Sequence, residues 1–366
     1  MTPARVIRPQ FPPGRRILAV SDIHGNLTFF QKLLDQAGFG PSDILVLVGD
    51  MLEKGPESLA LLRFIMDLCR RYTVYPLCGN CDGLVQRFFE EDGLDGPFFS
   101  RYLPRHPEST LRQLAGETGF SDWRDLPALR RALRDAYPEI RAWLGNLPTI
   151  LETEHLLFVH GGVPSLDNLE GLDRWTCMKN DNFLGQGRSF SKYVIVGHWP
   201  ITLYDPEIPR ADPLIDRERK IISIDGGCVL KLDGQLNALI IPEESSQDFS
   251  WQSYDGLPLV RALDPQAASL RSVNVRWGRS ALELLQAGEE LSLCRHLESG
   301  RELWVLNSYL RRDGRGLWCE DSTDYRLEVA PGDILSLEAR TKQGFLCKKS
   351  GLTGWYFGRI SDTIEI

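Results

Sequence analysis

The stretch RILAVSDIHGNLTFFQKLLDQA, residues 16–37, begins with a short apolar run, passes through a polar loop and continues with helical spacing. Residues 16–20 predict a buried strand, and residues 27–37 predict a helix because their apolar side chains recur every three to four positions. A second apolar run, residues 44–48, also ends at an aspartate-bearing loop. This order predicts a strand–helix–strand unit of an α/β sheet, a fold class that carries its functional loops at the carboxyl ends of the strands.

Five short segments carry polar side chains, and most of them directly follow an apolar run. They are SDIHGN at residues 21–26, VGD at 48–50, GNCD at 79–82, VHGG at 159–162 and VGHWP at 196–200. Together they supply Asp22, His24, Asp50, Asn80, His160 and His198. Their oxygen and nitrogen atoms suit divalent transition metals, although each segment alone is a weak signal. The ordered set predicts a two-metal site in which Asp50 is the bridging carboxylate.

Length and charge limit the classes of function. A chain of 366 residues predicts two domains, and a formal net charge of −8 argues against a general binder of nucleic acid or anionic membranes. The first residues are basic and proline-rich without an apolar signal region, and no apolar run reaches about 18 residues. We therefore expect a soluble, cytoplasmic protein with no nucleic-acid or membrane partner.

The eight cysteines have no framework spacing, which favours reduced thiols over disulfides. Cys78 and Cys81 form the sequence CGNC, which superficially matches a redox motif. Its position within a predicted metal-binding loop favours accidental spacing over redox catalysis.

The chain divides by pattern into three parts. Residues 14–245 predict an α/β catalytic domain, interrupted at 83–146 by a helical cap with apolar residues at helical spacing. Residues 246–271 predict a linker, because a polar stretch, PEESSQD at 242–248, spans the start of this region. Residues 272–366 predict a β-rich domain of short strands separated by glycine and polar turns.

The ordered motifs resemble those of the calcineurin-like metallophosphoesterases, in particular the phosphoprotein phosphatases and their bacterial relatives, which include symmetrical dinucleoside tetraphosphatases. GDMLEKGPES at residues 49–58 is similar to the GDxxDRGxxS motif of that family, and HGGVP at 160–164 is similar to HGGxxP. Residues 224–227, IDGG, are similar to a late strand motif. The resemblance implies a two-sheet α/β sandwich flanked by helices, which hydrolyses phosphoesters with a metal-bridging water. It also implies that Asp22 and His24 bind one ion, that Asp50 bridges, and that the second ion is bound by Asn80, His160 and His198.

The chain departs from the family pattern beside the metal ligands. The histidine that protonates the leaving oxygen and the aspartate that orients it are replaced by Cys81 and Glu53, and the arginine that grips phosphate is replaced by Lys54. A second phosphate-gripping residue is expected at Lys179, with Arg174 and Arg188 as rivals. Lysine keeps the positive charge but lacks the planar fork of arginine, so it should attract phosphate while fixing it less rigidly.

Three roles for Cys81 stay open at this level. The thiol could act as a weak acid, it could be inert while water does the work, or it could be a soft metal ligand or redox switch. A weak acid matters most for alkyl esters such as phosphoserine and less for aryl esters and anhydrides.

Residues 331–340 and 344–359 resemble bacterial SH3-like domains through a Gly-Asp turn and a late Gly-Trp pair. Trp355 is expected to be a core anchor or a platform for a ligand. If this domain binds a partner, a protein or peptide is favoured over nucleic acid.

The sequence thus predicts a cytoplasmic hydrolase with two divalent metal ions, manganese foremost, with Fe, Zn and Ni as alternatives. A phosphoprotein (serine/threonine) phosphatase is the leading function. A dinucleoside polyphosphate hydrolase is the second hypothesis. The third is a metal-binding pseudophosphatase that recognises a phosphorylated partner without turnover.

Overall fold

The computed structural model describes residues 2–90, 96–120, 122, 124–314 and 316–364. The chain divides into two compact units. Unit 1 comprises Met1–Trp199, Pro213–Leu230 and Leu236–Tyr254, and unit 2 comprises Pro200–Asp212, Lys231–Gln235 and Asp255–Ile366. Each unit has its own hydrophobic core.

The α-helices of the described residues all lie in unit 1. They are α1 Leu27–Gln36, α2 Ser58–Arg71, α3 Asn80–Glu90, α4 Gly96–Arg105, α5 Thr110–Thr118, α6 Leu126–Ala136, α7 Pro138–Gly145 and α8 Arg174–Met178. The segment predicted as a helical cap, residues 83–146, consists of most of α3 together with α4 to α7, with no strand among its described residues.

Unit 1 contains two sheets. Its strands are β1 Val6–Ile7, β2 Ile17–Val20, β3 Ile44–Leu47, β4 Thr73–Pro76, β5 Ile150–Glu152, β6 Leu156–Val159, β7 Tyr193–Val196, β8 Leu214–Asp216, β9 Ile221–Ser223, β10 Leu236–Ile241 and β11 Ser250–Tyr254. One sheet has the order β1-β5-β6-β7-β9-β8 and the other has the order β11-β10-β2-β3-β4. The predicted α/β fold with two sheets and flanking helices is confirmed.

The alternation of side chains along β2 and β3 explains why the sheets form layers. Ile17, Ala19, Ile44 and Val46 pack with side chains of the other sheet, including Phe158 and Ile195. Leu18, Val20, Leu45 and Leu47 point to the opposite face and pack with residues of α1 and α2. Because both faces are covered, these strands are continuous apolar runs rather than alternating ones.

Unit 2 is β-rich, as the sequence predicts. Its strands are β12 Leu259–Arg261, β13 Asn274–Val275, β14 Ala281–Gln286, β15 Leu291–His296, β16 Glu302–Leu306, β17 Leu310–Asp313, β18 Gly316–Cys319, β19 Ser322–Thr323, β20 Ile334–Arg340, β21 Phe345–Lys349 and β22 Leu352–Tyr356. They form the sheets β12-β20-β21-β22 and β16-β15-β14-β18-β17 and the pair β13-β19. Trp355 is a core anchor, since it is 6% exposed and its indole N–H donates to the carbonyl of Thr323 at 2.9 Å.

The segment predicted as a linker, residues 246–271, includes β11 and β12. β11 pairs with β10 in unit 1, and β12 pairs with β20 in unit 2. The polar composition predicted an irregular connection, but strand pairing satisfies much of its backbone instead. The exact domain limits and the SH3-like identity of residues 272–366 stay predictions. Among the described residues, no helix has the length and apolar character needed to cross a membrane.

Candidate metal centre

The six predicted ligands lie just beyond the ends of strands. β2, β3 and β4 pair in parallel, so the loops that follow them meet at one edge of the sheet. These loops carry Asp22, His24, Asp50 and Asn80, the last being the first residue of α3. In the other sheet, β6 and β7 also pair in parallel and lead to His160 and His198. The strand order therefore places donors from distant sequence positions at the carboxyl ends of both sheets.

The backbone at these loops is strained. Positive φ angles occur at Asp22 (54°), His24 (49°), Asp50 (48°) and His198 (68°). A non-glycine residue in the left-handed region costs roughly 1–2 kcal/mol, and such residues cluster at functional sites. Gly79 is also constrained, because a Cβ there would lie 2.2 Å from both the backbone N and the Oδ1 of Asp50.

Asp50 is the common member of two donor clusters. Ligand atoms of Asp22, Asp50 and His160 lie within 4.8 Å of one another, and so do those of His24, Asp50 and Cys81. The Nε2 of His160 is 3.3 Å from Asp50 Oδ1, and the Nε2 of His24 is 3.9 Å from Asp50 Oδ2. One carboxylate shared by two clusters is the arrangement that a two-metal site requires.

Unpartnered buried atoms show that these residues fit metal ions. The Oδ1 of Asn80 is buried without a hydrogen bond to any described residue, and the Nε2 of His160 is buried with only the ion-pair contact to Asp50 Oδ1 at 3.3 Å. The other ring nitrogen of His160, Nδ1, contacts the carbonyl of Val48 at 2.8 Å, which leaves Nε2 facing the cluster. A buried polar atom without a partner is costly, and coordination of a cation would satisfy both atoms.

The protonation state of His24 and His198 also suits ligation. Burial lowers the pKa of His24 to about 4 and that of His198 to about 4, so both imidazoles are neutral at physiological pH. Burial disfavours ionisation of Asp50, but the adjacent His160 imidazolium outweighs it and lowers the pKa of this carboxyl. Asp50 is thus anionic near the neutral imidazoles of His24 and His198. Burial lowers the pKa of His160, but the charges of Asp50 and Asp22 outweigh this and raise it to about 10, so binding of an ion at Nε2 requires loss of that proton.

His198 and Lys179 meet at Asp181, a residue to which the sequence assigned no role. Asp181 Oδ1 lies 2.8 Å from His198 Nε2 and 2.8 Å from Lys179 Nζ, and the two nitrogens are 3.3 Å apart. The ring of His198 is 5.2 Å from the ring of His160, between centroids. The structure therefore brings Lys179 to the edge of the cluster.

The rivals of Lys179 lie in other surroundings. Arg188 donates to Gln186 Oε1 and to the carbonyl of Pro164. Arg174 lines a separate cavity of about 220 Å³ together with Gly83 and Met178. Among the described residues, no hydrogen bond or ion pair joins either arginine to a predicted ligand, whereas Lys179 contacts His198, which favours Lys179.

Cys81 is buried directly beside Asp50. Its backbone N–H donates to Asp50 Oδ1 at 2.7 Å, and its sulfur accepts from the amide nitrogen of Asn80 at 3.4 Å. Burial, and then the charge of Asp50, raises the pKa of the Cys81 thiol well above its usual range. Lys54 is exposed, with φ of 73°, and its positive charge helps to lower the pKa of His24.

The carboxylate of Glu53 is hydrogen-bonded to residues of the helical insertion. Its Oε2 accepts from the Tyr102 hydroxyl at 2.6 Å, and its Oε1 accepts from the Ser109 hydroxyl at 3.1 Å and the Thr110 N–H at 2.9 Å. Burial raises the pKa of Glu53, and these hydrogen bonds oppose the rise. Among the described residues, no hydrogen bond joins Glu53 to Cys81, so their pairing as an acid and its orienting carboxylate stays a prediction without a contact to support it.

Asp82 is a second residue whose role the sequence analysis missed. Its carboxylate accepts from the backbone N–H groups of Met51 at 3.4 Å, Leu52 at 3.0 Å and Gly79 at 2.9 Å. It thereby ties the loop of Asp50 to the loop of Asn80. An aspartate directly before a predicted helical segment was the available signal, because carboxylates at helix starts often accept from nearby backbone N–H groups.

The chain is similar in sequence to known phosphoesterases. Residues 15–220, more than half of the chain, match the family model described as calcineurin-like phosphoesterase. A symmetrical bis(5'-nucleosyl)-tetraphosphatase of Haemophilus ducreyi is 49% identical over 184 residues, which cover 44% of this chain and 64% of the relative. A symmetrical bis(5'-nucleosyl)-tetraphosphatase of Thioalkalivibrio sulfidiphilus is 53% identical over 53 residues, which cover 14% of this chain and 20% of the relative. The chain thus spans less than two thirds of the length of these relatives.

A metallophosphoesterase structure from Sphaerobacter thermophilus is similar with a TM-score of 0.36 and 18% identity, and the match covers 66% of this chain and 88% of that one.

Proposed function

The chain belongs to the calcineurin-like phosphoesterases, a family with a dinuclear divalent metal centre, and we propose that it hydrolyses phosphoanhydrides of the dinucleoside polyphosphate class. Asp22, His24, Asp50, Asn80, His160 and His198 would hold the two ions. The chemistry that such ions supply is Lewis acidity and activation of a water for attack on phosphorus. The side chains around the ions would bind and orient the substrate.

Lys54 and Lys179 are the groups proposed to bind the phosphate chain. Lys54 is exposed and follows the Asp50 loop, and Lys179 lies within 3.3 Å of His198. Asp181 holds the ammonium group of Lys179 and so orients it. One positive charge near His24 and another beside His198 would bind a polyphosphate anion and align it.

The position of Glu53 is the observation that carries the choice of substrate. Both of its carboxylate oxygens accept hydrogen bonds from the helical insertion, and among the described residues no hydrogen bond joins Glu53 to Cys81. A serine alkoxide is a poor leaving group and needs a proton, whereas a nucleoside phosphate leaves from an anhydride as a stable anion. The similarity to proteins named symmetrical bis(5'-nucleosyl)-tetraphosphatases also supports this choice.

A panel of three substrates tests the proposal. With Mn²⁺ present, we expect kcat/KM for diadenosine tetraphosphate to exceed that for a phosphoserine peptide by about 100-fold, the lower end of what a positioned acid contributes. An aryl phosphate should fall between them. Preference for the peptide would favour the phosphoprotein phosphatase, which stays a prediction, and absence of all turnover would favour the pseudophosphatase.

The lysines can be tested by substitution. We expect Lys54→Ala to raise KM for the tetraphosphate and the inhibition constant for inorganic phosphate about tenfold, since a charge-assisted hydrogen bond contributes about 1.5 to 3 kcal/mol. Lys179→Ala should have a smaller effect, because Asp181 already neutralises part of its charge. Lys54→Arg is the matched control that keeps the charge. Unchanged constants in Lys54→Ala would exclude Lys54 from phosphate binding.

A further inference from the structure

The sulfur of Cys81 lies in the donor cluster of His24 and Asp50, and a role as proton donor does not require that position. Its sulfur and the ligand atoms of His24 and Asp50 lie within 4.8 Å of one another, and all three residues are buried. Donors bound to one tetrahedral ion at 2.0 to 2.3 Å lie roughly 3.3 to 3.8 Å apart, so a small movement of the side chains would close this triad around an ion.

The neighbouring amide provides an independent reason to place a ligand here. Asn80 Oδ1 is buried and has no hydrogen bond to any described residue, while its Nδ2 donates to Cys81 Sγ. The amide thus places its nitrogen on the Cys81 sulfur and leaves a buried oxygen beside it unsatisfied. Donation of an N–H to sulfur also compensates a thiolate better than a neutral thiol, since it places positive charge next to the sulfur.

Among the residues that the structure describes, Glu53 makes no hydrogen bond to Cys81, as it would to orient a general acid there. Glu53, the residue at the position that would orient the acid, is turned toward Tyr102, Ser109 and Thr110. The polar partners of Cys81 are Asp50 and Asn80, both predicted metal ligands.

We propose that Cys81 is a thiolate ligand of the metal ion bound by His24 and Asp50, and that its sulfur shifts the preference of this site from manganese toward zinc or cobalt. On metal binding the S–H bond is replaced by a sulfur–metal bond, and the proton passes to solvent without any oxidation. Soft thiolate donors favour zinc, whereas sites with carboxylate and water ligands suit manganese. The inference rests on the proposed two-metal function, but it concerns binding and does not require turnover.

Cobalt spectroscopy of the full chain tests the ligand directly. We expect the metal-free protein loaded with two equivalents of Co²⁺ to show a near-ultraviolet charge-transfer band from sulfur to cobalt. The band should be lost in Cys81→Ser. Cys78→Ser is the matched control, because Cys78 is also buried and lies three residues away but is outside both donor clusters. A wild-type protein with two bound Co²⁺ ions and no such band would overturn the proposal.

X-ray absorption of the zinc-loaded wild type covers the case in which Cys81→Ser does not fold. Because only one of the two zinc ions would bind Cys81, we expect an average of one sulfur neighbour for every two zinc ions, at about 2.3 Å. A spectrum fitted by nitrogen and oxygen alone would overturn the proposal. Hydrolysis without a sulfur signal would overturn the assignment of Cys81 as a ligand and leave the proposed function intact. A sulfur signal without hydrolysis would support the ligand and overturn the proposed function.

Discussion

Replacing Asp50 by asparagine is expected to lower kcat/KM for diadenosine tetraphosphate at least about 1,000-fold, the upper end of the effect of removing one electrostatic contact from a transition state. Asp50 belongs to both donor clusters and also accepts the N–H of Cys81, so its two oxygens serve the whole centre. Asparagine has one oxygen and no charge, and it cannot bridge two cations. Steady-state kinetics together with metal analysis of the purified variant check this expectation.

The substitution separates charge from backbone geometry. Asp50 has a φ of 48°, and asparagine is among the few residues that tolerate the left-handed region. Asp248→Asn is the control, because Asp248 is exposed and lies outside the metal centre. Two bound metal ions and less than a tenfold loss of activity in Asp50→Asn would show that Asp50 does not bridge.

Replacing Glu53 by alanine is expected to destabilise the helical insertion by about 3 kcal/mol. Glu53 is 1% exposed, and the substitution removes the acceptor of the Tyr102 hydroxyl, the Ser109 hydroxyl and the Thr110 N–H. Each buried donor left unsatisfied costs about 1 to 3 kcal/mol, and partial relaxation recovers some of the sum. Hydrogen exchange followed by mass spectrometry should show amides of α4 and α5 exchanging roughly 100-fold faster.

Two variants distinguish this effect from a general loss of stability. Tyr102→Phe removes one hydrogen bond and should speed exchange in α4 and α5 by a smaller factor, of about 10. Glu53→Gln keeps an acceptor and should lie between Glu53→Ala and the wild type. Peptides from β20 and β21 of unit 2 should exchange at the wild-type rate in all of them. Unchanged exchange in α4 and α5 of Glu53→Ala would show that Glu53 does not hold the insertion.

The hydrogen-bond partners of Glu53 could not be predicted from the sequence. The motif at residues 49–58 suggested that Glu53 orients a proton donor, because the residue at this position does so in the family that the motif resembles. The structure places its carboxylate against Tyr102, Ser109 and Thr110, which lie 49 to 57 positions further along the chain. No local pattern encodes that contact.

The linker and Asp181 show the same limit in different ways. Polar composition predicted an irregular segment at 246–271, yet β11 and β12 form there because β10 and β20 offer them backbone partners. Asp181 has no strand end or helical pattern to mark it. Its importance comes from the fold, which brings it within 2.8 Å of His198.

The sequence by itself determined the apolar runs, the loops that follow them and the order of the donor residues, because these depend on local periodicity and on residue chemistry. From these, parallel strands predict that the loops meet at one edge, and the structure brings Asp22, Asp50 and His160 together there. Only the tertiary structure decided which way Glu53, Asp181 and Cys81 point. The direction of Glu53 depends on its left-handed backbone angle and on hydrogen bonds from distant segments, and Asp181 and Cys81 are placed by contacts with His198 and Asp50. None of these leaves a periodic signal in the chain.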